Sequence, residues 1–361
     1  MERLKSLDNA INFIVESIDN KTNGSRAFYS RFFFPLNGWS KPYPETTGYI
    51  IKTFDDLIYE NNYFHLEDFS KNMADWILSI QNNDGSFPGG LYDENEPSDK
   101  SIFNTAQILI GLHSRYKRTN DKKYLNSATK GANWIAECID EFGNISKYNY
   151  ENNFMPSYYS RVCWPILLVC NEESQENKIL IEKTHSVMNN IADRQLSNLF
   201  ISDSGFKKGS YAFLHTIAYT IRGFLECSNF VKGDKFFNIA YELSEKFMKK
   251  FEIKKVLAGA YYEDFSTVNN YRCLTGEAQM AIIWLMISDL TGDLRFLNAA
   301  SKLLDKLELE VKSRNTIFFK KGGLQGSKPF YGRYISFRQP NWASKFYIDA
   351  VILEDKIKIK L

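Results

Sequence analysis

Three acidic residues sit where their type and context could do chemistry. Glu45 directly follows an aromatic segment, Glu277 stands in the first turn of an apolar stretch, and Asp264, beside Glu263, lies in the loop before it. Two carboxyl groups facing a sugar ring, one of them kept protonated by its surroundings, are what acid–base cleavage of a glycosidic bond usually employs. A second set suits another reaction. His215 and Tyr219 are four residues apart, so on a helix they share a face, and Arg222 follows one turn deeper. A base with a neighbouring cation is the pairing needed to remove the C5 proton of a uronate and neutralise the charge that develops. Asn104, Arg161, Arg272, Asn341 and Lys345 are further donors at related positions.

Each also has an ordinary structural explanation. A glutamate in the first turn is favoured by the helix dipole alone. A buried histidine or arginine can bridge helices. Trp76, Trp134, Trp164 and Trp284 fall at apolar helical positions and read as core, and Gly48, Gly223 and Gly276 as sites of close helix contact.

The elements that must position these side chains recur. A helix whose first turn is polar and whose remainder is apolar appears at Glu45-Thr46-Thr47-Gly48, Asn104-Thr105-Ala106, Ser160-Arg161-Val162, His215-Thr216-Ile217, Thr275-Gly276-Glu277 and Asn341-Trp342-Ala343. The markers Thr47, Thr105, Ser160, Thr216 and Thr275 stand 58, 55, 56 and 59 residues apart, with 66 more to Asn341. Such a period marks one supersecondary unit used repeatedly. The second helix of each unit is amphipathic, as over 4–18 and 66–80, and the connectors at Asp121, Asp234 and Asp293 copy one another with Asp as N-cap. Inner helices are expected over 104–116, 213–227 and 275–289.

Six two-helix units can close into an all-α (α/α)6 toroid, a single domain over 1–361, with an open solenoid as the competing geometry. The long loops would then emerge at one end, beside the inner-helix N-termini. Those loops carry Trp39, Tyr43, Tyr331 and Tyr334, with Trp342 just inside the last helix. Rings with hydroxyls stack on sugar faces and bond their edges, so a saccharide cleft is expected.

The hairpin repeat, the Gln81-Asn82-Asn83-Asp84-Gly85-Ser86-Phe87 turn and the Tyr43-Pro44-Glu45-Thr46-Thr47-Gly48 motif resemble the (α/α)6-toroid carbohydrate-active enzymes, most closely a bacterial group accompanying surface-polysaccharide genes. The unsaturated glucuronyl hydrolases among them share this length and a similar Pro-Glu-Thr turn. The resemblance implies an enzyme acting on an oligo- or polysaccharide. Glycoside hydrolysis is the leading expectation, with Glu45 and Asp264 as the first acid–base candidates; the alternatives are uronate elimination or C5 epimerisation through His215 and Tyr219, and a non-catalytic glycan-binding or assembly role. A triterpene cyclase is disfavoured because no Asp-x-Asp-Asp acid is present. The two central histidines of N-acylglucosamine 2-epimerases are not matched either, since only His215 among four histidines begins an inner helix.

Bulk properties narrow the partners. With 45 basic and 43 acidic residues and a net charge of +2, nucleic acid is not expected, whereas a neutral or anionic saccharide is. No run of about 18 apolar residues appears, and the opening Met1-Glu2-Arg3-Leu4-Lys5 is too polar for a signal peptide, so a cytoplasmic protein without membrane insertion is expected. Five cysteines without CxxC spacing read as reduced. No metal-ligand spacing is visible, and Lys321-Gly322-Gly323-Leu324-Gln325-Gly326 opens no helix to cradle phosphate, so neither metal nor cofactor is expected.

Overall fold

The computed structural model describes residues 2–96, 98–170, 175–230, 233–312 and 316–361. Its α-helices are α1 (Glu2–Ser17), α2 (Pro44–Asn61), α3 (Glu67–Ser79), α4 (Ile102–Thr119), α5 (Lys122–Glu137), α6 (Ser160–Val169), α7 (Gln175–Ala192), α8 (Leu214–Cys227), α9 (Lys235–Lys254), α10 (Leu274–Thr291), α11 (Leu294–Val311) and α12 (Asn341–Lys360). The chain divides into two compact units: Ile18–Ala27 with Lys41–Arg194, and Met1–Ser17 with Phe28–Ser40 and Gln195–Leu361.

In the unit built on Lys41–Arg194, α2 packs on α4 and α4 on α6, while α3, α5 and α7 pair with them in turn. In the other, α8 packs on α10 and α10 on α12, with α9 and α11 as partners; α12 takes its partner from the start of the chain, α1. Sequence explains the layering. Every residue of α8 is buried, and α10 is apolar all round, as a helix covered on all sides must be. By contrast α5 and α11 bury one stripe and present charge elsewhere.

Local chemistry sets the ends. Asn62, Asn120 and Gly292 close α2, α4 and α10 in the left-handed conformation. Asp121 and Asp293 cap the following helices by accepting from the backbone N–H of Lys123 (3.0 Å) and Arg295 (2.9 Å). Asp234 stands at the matching position without a side-chain cap bond, its backbone not being extended (φ −97°, ψ 0°); its carbonyl still accepts the first intrahelical bond, from the Asn238 N–H. Helix bounds otherwise fall within a few residues of the sequence expectation. Trp76, Trp134 and Trp284 are core, but Trp164 is half-buried under the Arg161 guanidinium, 4.4 Å from its ring centre.

In three inner helices a hydroxyl near the start holds down a loop. Thr47 Oγ1 accepts from the backbone N–H of Ser25 (2.9 Å), Thr105 Oγ1 from Phe87 (3.0 Å) and Ser344 Oγ from Leu324 (3.0 Å). A five-residue turn recurs as well. At 82–86, 140–144, 196–200 and 262–266 the first N–H bonds the last carbonyl, and the fourth residue has positive φ: Gly85, Gly143, Leu199 and Phe265. The glutamine of the 81–87 motif serves this turn. Gln81 Nε2 donates to the carbonyls of Gly85 and Ser127, while its Oε1 accepts from Ser127 Oγ. There are also six two-residue strands among the described residues, which the helical periodicity did not announce: β1 (Phe28–Tyr29), β2 (Ala212–Phe213), β3 (Ala260–Tyr261), β4 (Arg272–Cys273), β5 (Ser327–Lys328) and β6 (Gln339–Pro340), of which β2, β4 and β6 lead directly into α8, α10 and α12. They pair antiparallel as β1 with β6, β2 with β3 and β4 with β5.

Helices α2 and α4 cross in close backbone contact. A Cβ added at Gly111 would fall 1.9 Å from the Gly48 carbonyl oxygen, and one added at Gly48 only 2.5 Å from Ile108 Cα. These obstacles are backbone, which cannot rotate away. Gly111→Ala is therefore expected to lower unfolding free energy by about 1–3 kcal/mol, outweighing the helical gain of alanine over glycine. Urea denaturation checks this; an unchanged or higher midpoint would show that the crossing yields freely.

Candidate functional site

In the unit built on Lys41–Arg194, the acid-bearing element is the start of α2. Pro44 occupies the first helical turn, where its missing N–H has no partner to lose, and it sets Glu45 into that turn. The extended backbone of Tyr43 then brings its phenol back, and the hydroxyl donates to Glu45 Oε2 at 2.6 Å. Glu45 is 8% exposed. Burial pushes its carboxyl up to about 7, with the Tyr43 hydrogen bond opposing the rise.

Neighbouring inner helices add to this site. Tyr159, buried before α6, donates its hydroxyl to Asn149 Oδ1 (3.0 Å), and burial together with the charge of Glu45 holds its phenol far above the ordinary tyrosine range. Asn104 is buried in the first turn of α4, whose N-cap Ser101 receives its backbone N–H. Inside α6, Pro165 has no N–H to give the Arg161 carbonyl one turn earlier, and Gln107 Nε2 reaches that carbonyl at 3.4 Å.

The other unit gathers His215, Tyr219 and a residue that sequence reasoning passed over, Gln279. Gly276 makes this possible: a Cβ there would lie 2.7 Å from the His215 backbone nitrogen, so α10 rests directly on the start of α8. One turn on, Gln279 Oε1 meets His215 Nδ1 at 2.9 Å. Burial drives the imidazole down to about 3, against the Gln279 bond, so the ring is neutral at physiological pH. Its ring centre lies 4.4 Å from Tyr219 and 5.2 Å from Tyr334, and Trp342 Nε1 donates to the Tyr334 hydroxyl (2.9 Å). A neutral imidazole anchored through Nδ1 leaves Nε2 as the nitrogen for proton transfer.

Several candidates hold internal partners. Arg272 makes a two-pronged bond to Glu277, 2.8 and 2.6 Å, and Glu277 has no exposed surface; the carboxylate proposed as an acid orients a guanidinium. Arg222 is paired with Glu226 (3.0 Å) and Lys345 with Asp349, so both cations are neutralised within their own helices. Asn341 is fully buried at the start of α12. Trp39 packs between Phe13 and Tyr29, with ring centres 5.2 and 5.1 Å away, as core. Tyr331 is exposed, edge-on to Phe330. Asp264 is the third residue of the 262–266 turn. Its Oδ1 accepts from the Ser266 N–H (2.7 Å), as Asp84 does from Ser86 and Asn198 from Phe200 in their turns, and those bonds hold its carboxyl below the usual range. An exposed, ionised turn residue is thereby accounted for by the repeat.

Among the described residues no group of three or more His, Cys, Asp or Glu is placed to hold a metal ion, and no helix is long and apolar enough to cross a membrane. None of the five cysteines forms a disulfide.

No protein-family model matches the chain, and no curated protein sequence matches it. Solved structures do. The chain is similar to an unsaturated glucuronyl hydrolase specific for heparin (15% identity, TM-score 0.74, 98% of this chain and 97% of that one). It is also similar to a sugar epimerase from a ruminal bacterium (14%, TM-score 0.76, 97% of each chain). A third similar structure is a cellobiose 2-epimerase from Bacillus thermoamylovorans (12%, TM-score 0.67, 96% of this chain and 98% of that one). At this identity the likeness is one of fold, and the fold is the all-α (α/α)6 toroid.

Proposed function

We propose that the chain is a carbohydrate-active enzyme that hydrolyses a glycosidic bond in an oligo- or polysaccharide, with Glu45 as the proton donor. The observation carrying this reading is a buried carboxyl at the start of an inner helix, bonded by a phenol and raised to about 7. A general acid works best with a pKa near the working pH, and this one is protonated in roughly half of the molecules at pH 7. Tyr43 positions the group, and Asn104, Tyr159 and Arg161 supply polar edges from the same unit. Fold analogy with a glycoside-cleaving enzyme adds weight without assigning a sugar. The whole of 1–361 acts in this reading as one domain, and five cysteines outside any disulfide favour a reducing compartment, the cytoplasm.

The test is a panel of bacterial glycans in which new reducing ends and the ultraviolet absorbance of unsaturated uronates are both followed. Hydrolysis raises the first. Silence in both signals across a broad panel would leave a glycan-binding role in its place.

A second reading is favoured by a specific observation, the neutral His215 anchored by Gln279 beside Tyr219. On an anionic saccharide, His215 Nε2 would take the C5 proton of a uronate, giving elimination or epimerisation. His215→Gln is then expected to slow solvent deuterium exchange at C5 by about 100-fold or more, while Glu45→Gln leaves it intact. If exchange survives in the His215 variant, the imidazole is a packing residue.

A further inference from the structure

A cleft of about 340 Å³ lies beside the C-terminal turns of α9, bounded by the segment 256–272 and by Lys328 and Pro329. None of the residues assigned to acid–base chemistry above lines it. Its walls carry four cations, Lys250, Lys254, Arg272 and Lys328. Two are answered: Lys328 pairs with Glu310 (3.0 Å), and Arg272 with Glu277 and, at 3.4 Å, with Glu310. Lys250 and Lys254 have no carboxylate partner among the described residues. The sequence makes this worse, because Lys246, Lys250 and Lys254 are spaced by four along one face of α9, where like charges repel. Lys246 is used, donating to the Asn198 carbonyl at 2.6 Å. Burial first, and then the charges of Lys254 and Lys246, push the Lys250 ammonium below its usual range, and it lies 5.2 Å from the Phe265 ring centre. The C-terminal dipole of α9 helps Lys254 alone, since that effect fades beyond the last turn.

The remaining wall mixes the edges of two largely buried rings with polar groups. Tyr261 and Tyr271 contribute rings, and Thr267, Asn269 and Asn270 contribute hydroxyl and amide groups at the rim. The volume lies at the low end of small-molecule sites, about the size of one or two sugar units.

We propose that this cleft is a second saccharide-binding site, which takes a sugar unit bearing a carboxylate, sulfate or phosphate, with Lys250 and Lys254 holding the anion. The inference rests on the carbohydrate reading of the chain. It extends that reading to an acidic polymer gripped away from the reacting residues.

Hydrogen exchange on the full chain at low ionic strength tests it, with Glu45→Gln as background so that no ligand is consumed. The probes are a glucuronate-containing tetrasaccharide, a neutral tetrasaccharide of the same length and inorganic sulfate at equal concentration. The acidic tetrasaccharide is expected to protect 250–258 and 267–272. A Lys250→Ala/Lys254→Ala double variant weakens this binding at least tenfold, and Lys249→Ala, whose lysine pairs with Glu245 on another face, leaves it unchanged. Added salt weakens it too, as screening requires. The proposal is overturned if the acidic tetrasaccharide gives no protection, if the neutral one protects equally, if the double variant binds as well, or if sulfate alone reproduces the protection and so marks a free-ion site. Loss of turnover in Glu45→Gln with an empty cleft would leave hydrolysis standing and remove only this inference. Protection without turnover of any glycan would do the reverse.

Discussion

Replacing Glu45 with glutamine is expected to reduce glycan hydrolysis by 10²–10⁴-fold and, at pH 8, to make the folded chain more stable. The two effects have one cause. The buried carboxyl is raised from an ordinary 4.5 to about 7. Between those values the native state holds a proton that the unfolded chain releases, so folding stability falls as pH climbs through the window and stays low above it. The difference corresponds to at most about 3 kcal/mol. Glutamine has no charge to bury, so the variant loses this pH slope along with the proton donor. Wild-type activity should decline as pH rises past about 7, because only the protonated form donates. Tyr43→Phe removes the bond that opposes the rise. Its alkaline limb should therefore move to higher pH. Denaturant titrations at pH 5 and 8, beside reducing-end assays, separate the possibilities. A Glu45→Gln chain less stable than wild type at pH 8 would mark Glu45 as a structural residue.

How far the sequence reached depends on whether a signal is local. Helix positions, the left-handed caps at Asn62, Asn120 and Gly292, and the place of Glu45 behind Pro44 are written within a few residues of where they act. The partner of a side chain is not. Gln279 was legible only as part of an apolar helix; what recruits it is the missing Cβ at Gly276, which lets α10 sit against the backbone of α8. Arg272 and Glu277 read as separate candidates because one opens a strand and the other lies in the first turn of a helix, and only the turn of the backbone between them makes a two-pronged pair. Asp264 misleads for the opposite reason. Its loop looks functional in isolation, and its meaning emerges when Asp84, Asn198 and Asp264 are seen bonding two residues ahead in the same repeated turn. Trp39 belongs to the core because Phe13, 26 residues earlier, packs on it.

The largest loss of stability is expected at the far ends of α2 and α4, where Asp55→Ala should lower unfolding free energy by about 3–5 kcal/mol. Asp55 and Arg115 are both buried. The carboxylate accepts from Arg115 Nη1 (2.8 Å), Ser70 Oγ (2.7 Å) and Ser114 Oγ (2.9 Å), tying α2, α3 and α4 together, and Arg115 Nη2 reaches Glu67 at 2.9 Å. Removing the aspartate leaves a guanidinium that cannot shed its proton, with only the partly exposed Glu67 to answer it. Removing the arginine instead is less damaging. Burial already holds the Asp55 carboxyl above its usual range, and in Arg115→Met it can take up a proton and stay bonded to the two serines. The Arg115→Met chain should accordingly regain stability as pH falls from 8 to 5, because its native state then binds a proton that the unfolded state does not. Asp55→Ala should show no such recovery. A paired Asp55→Leu/Arg115→Met variant, with no charge left unmatched between the helices, should stand closer to wild type than Asp55→Ala does. Urea titration of the four chains at both pH values separates these outcomes. Equal losses for the two single variants at pH 5 would mean that water, rather than the opposite charge, solvates whichever ion remains.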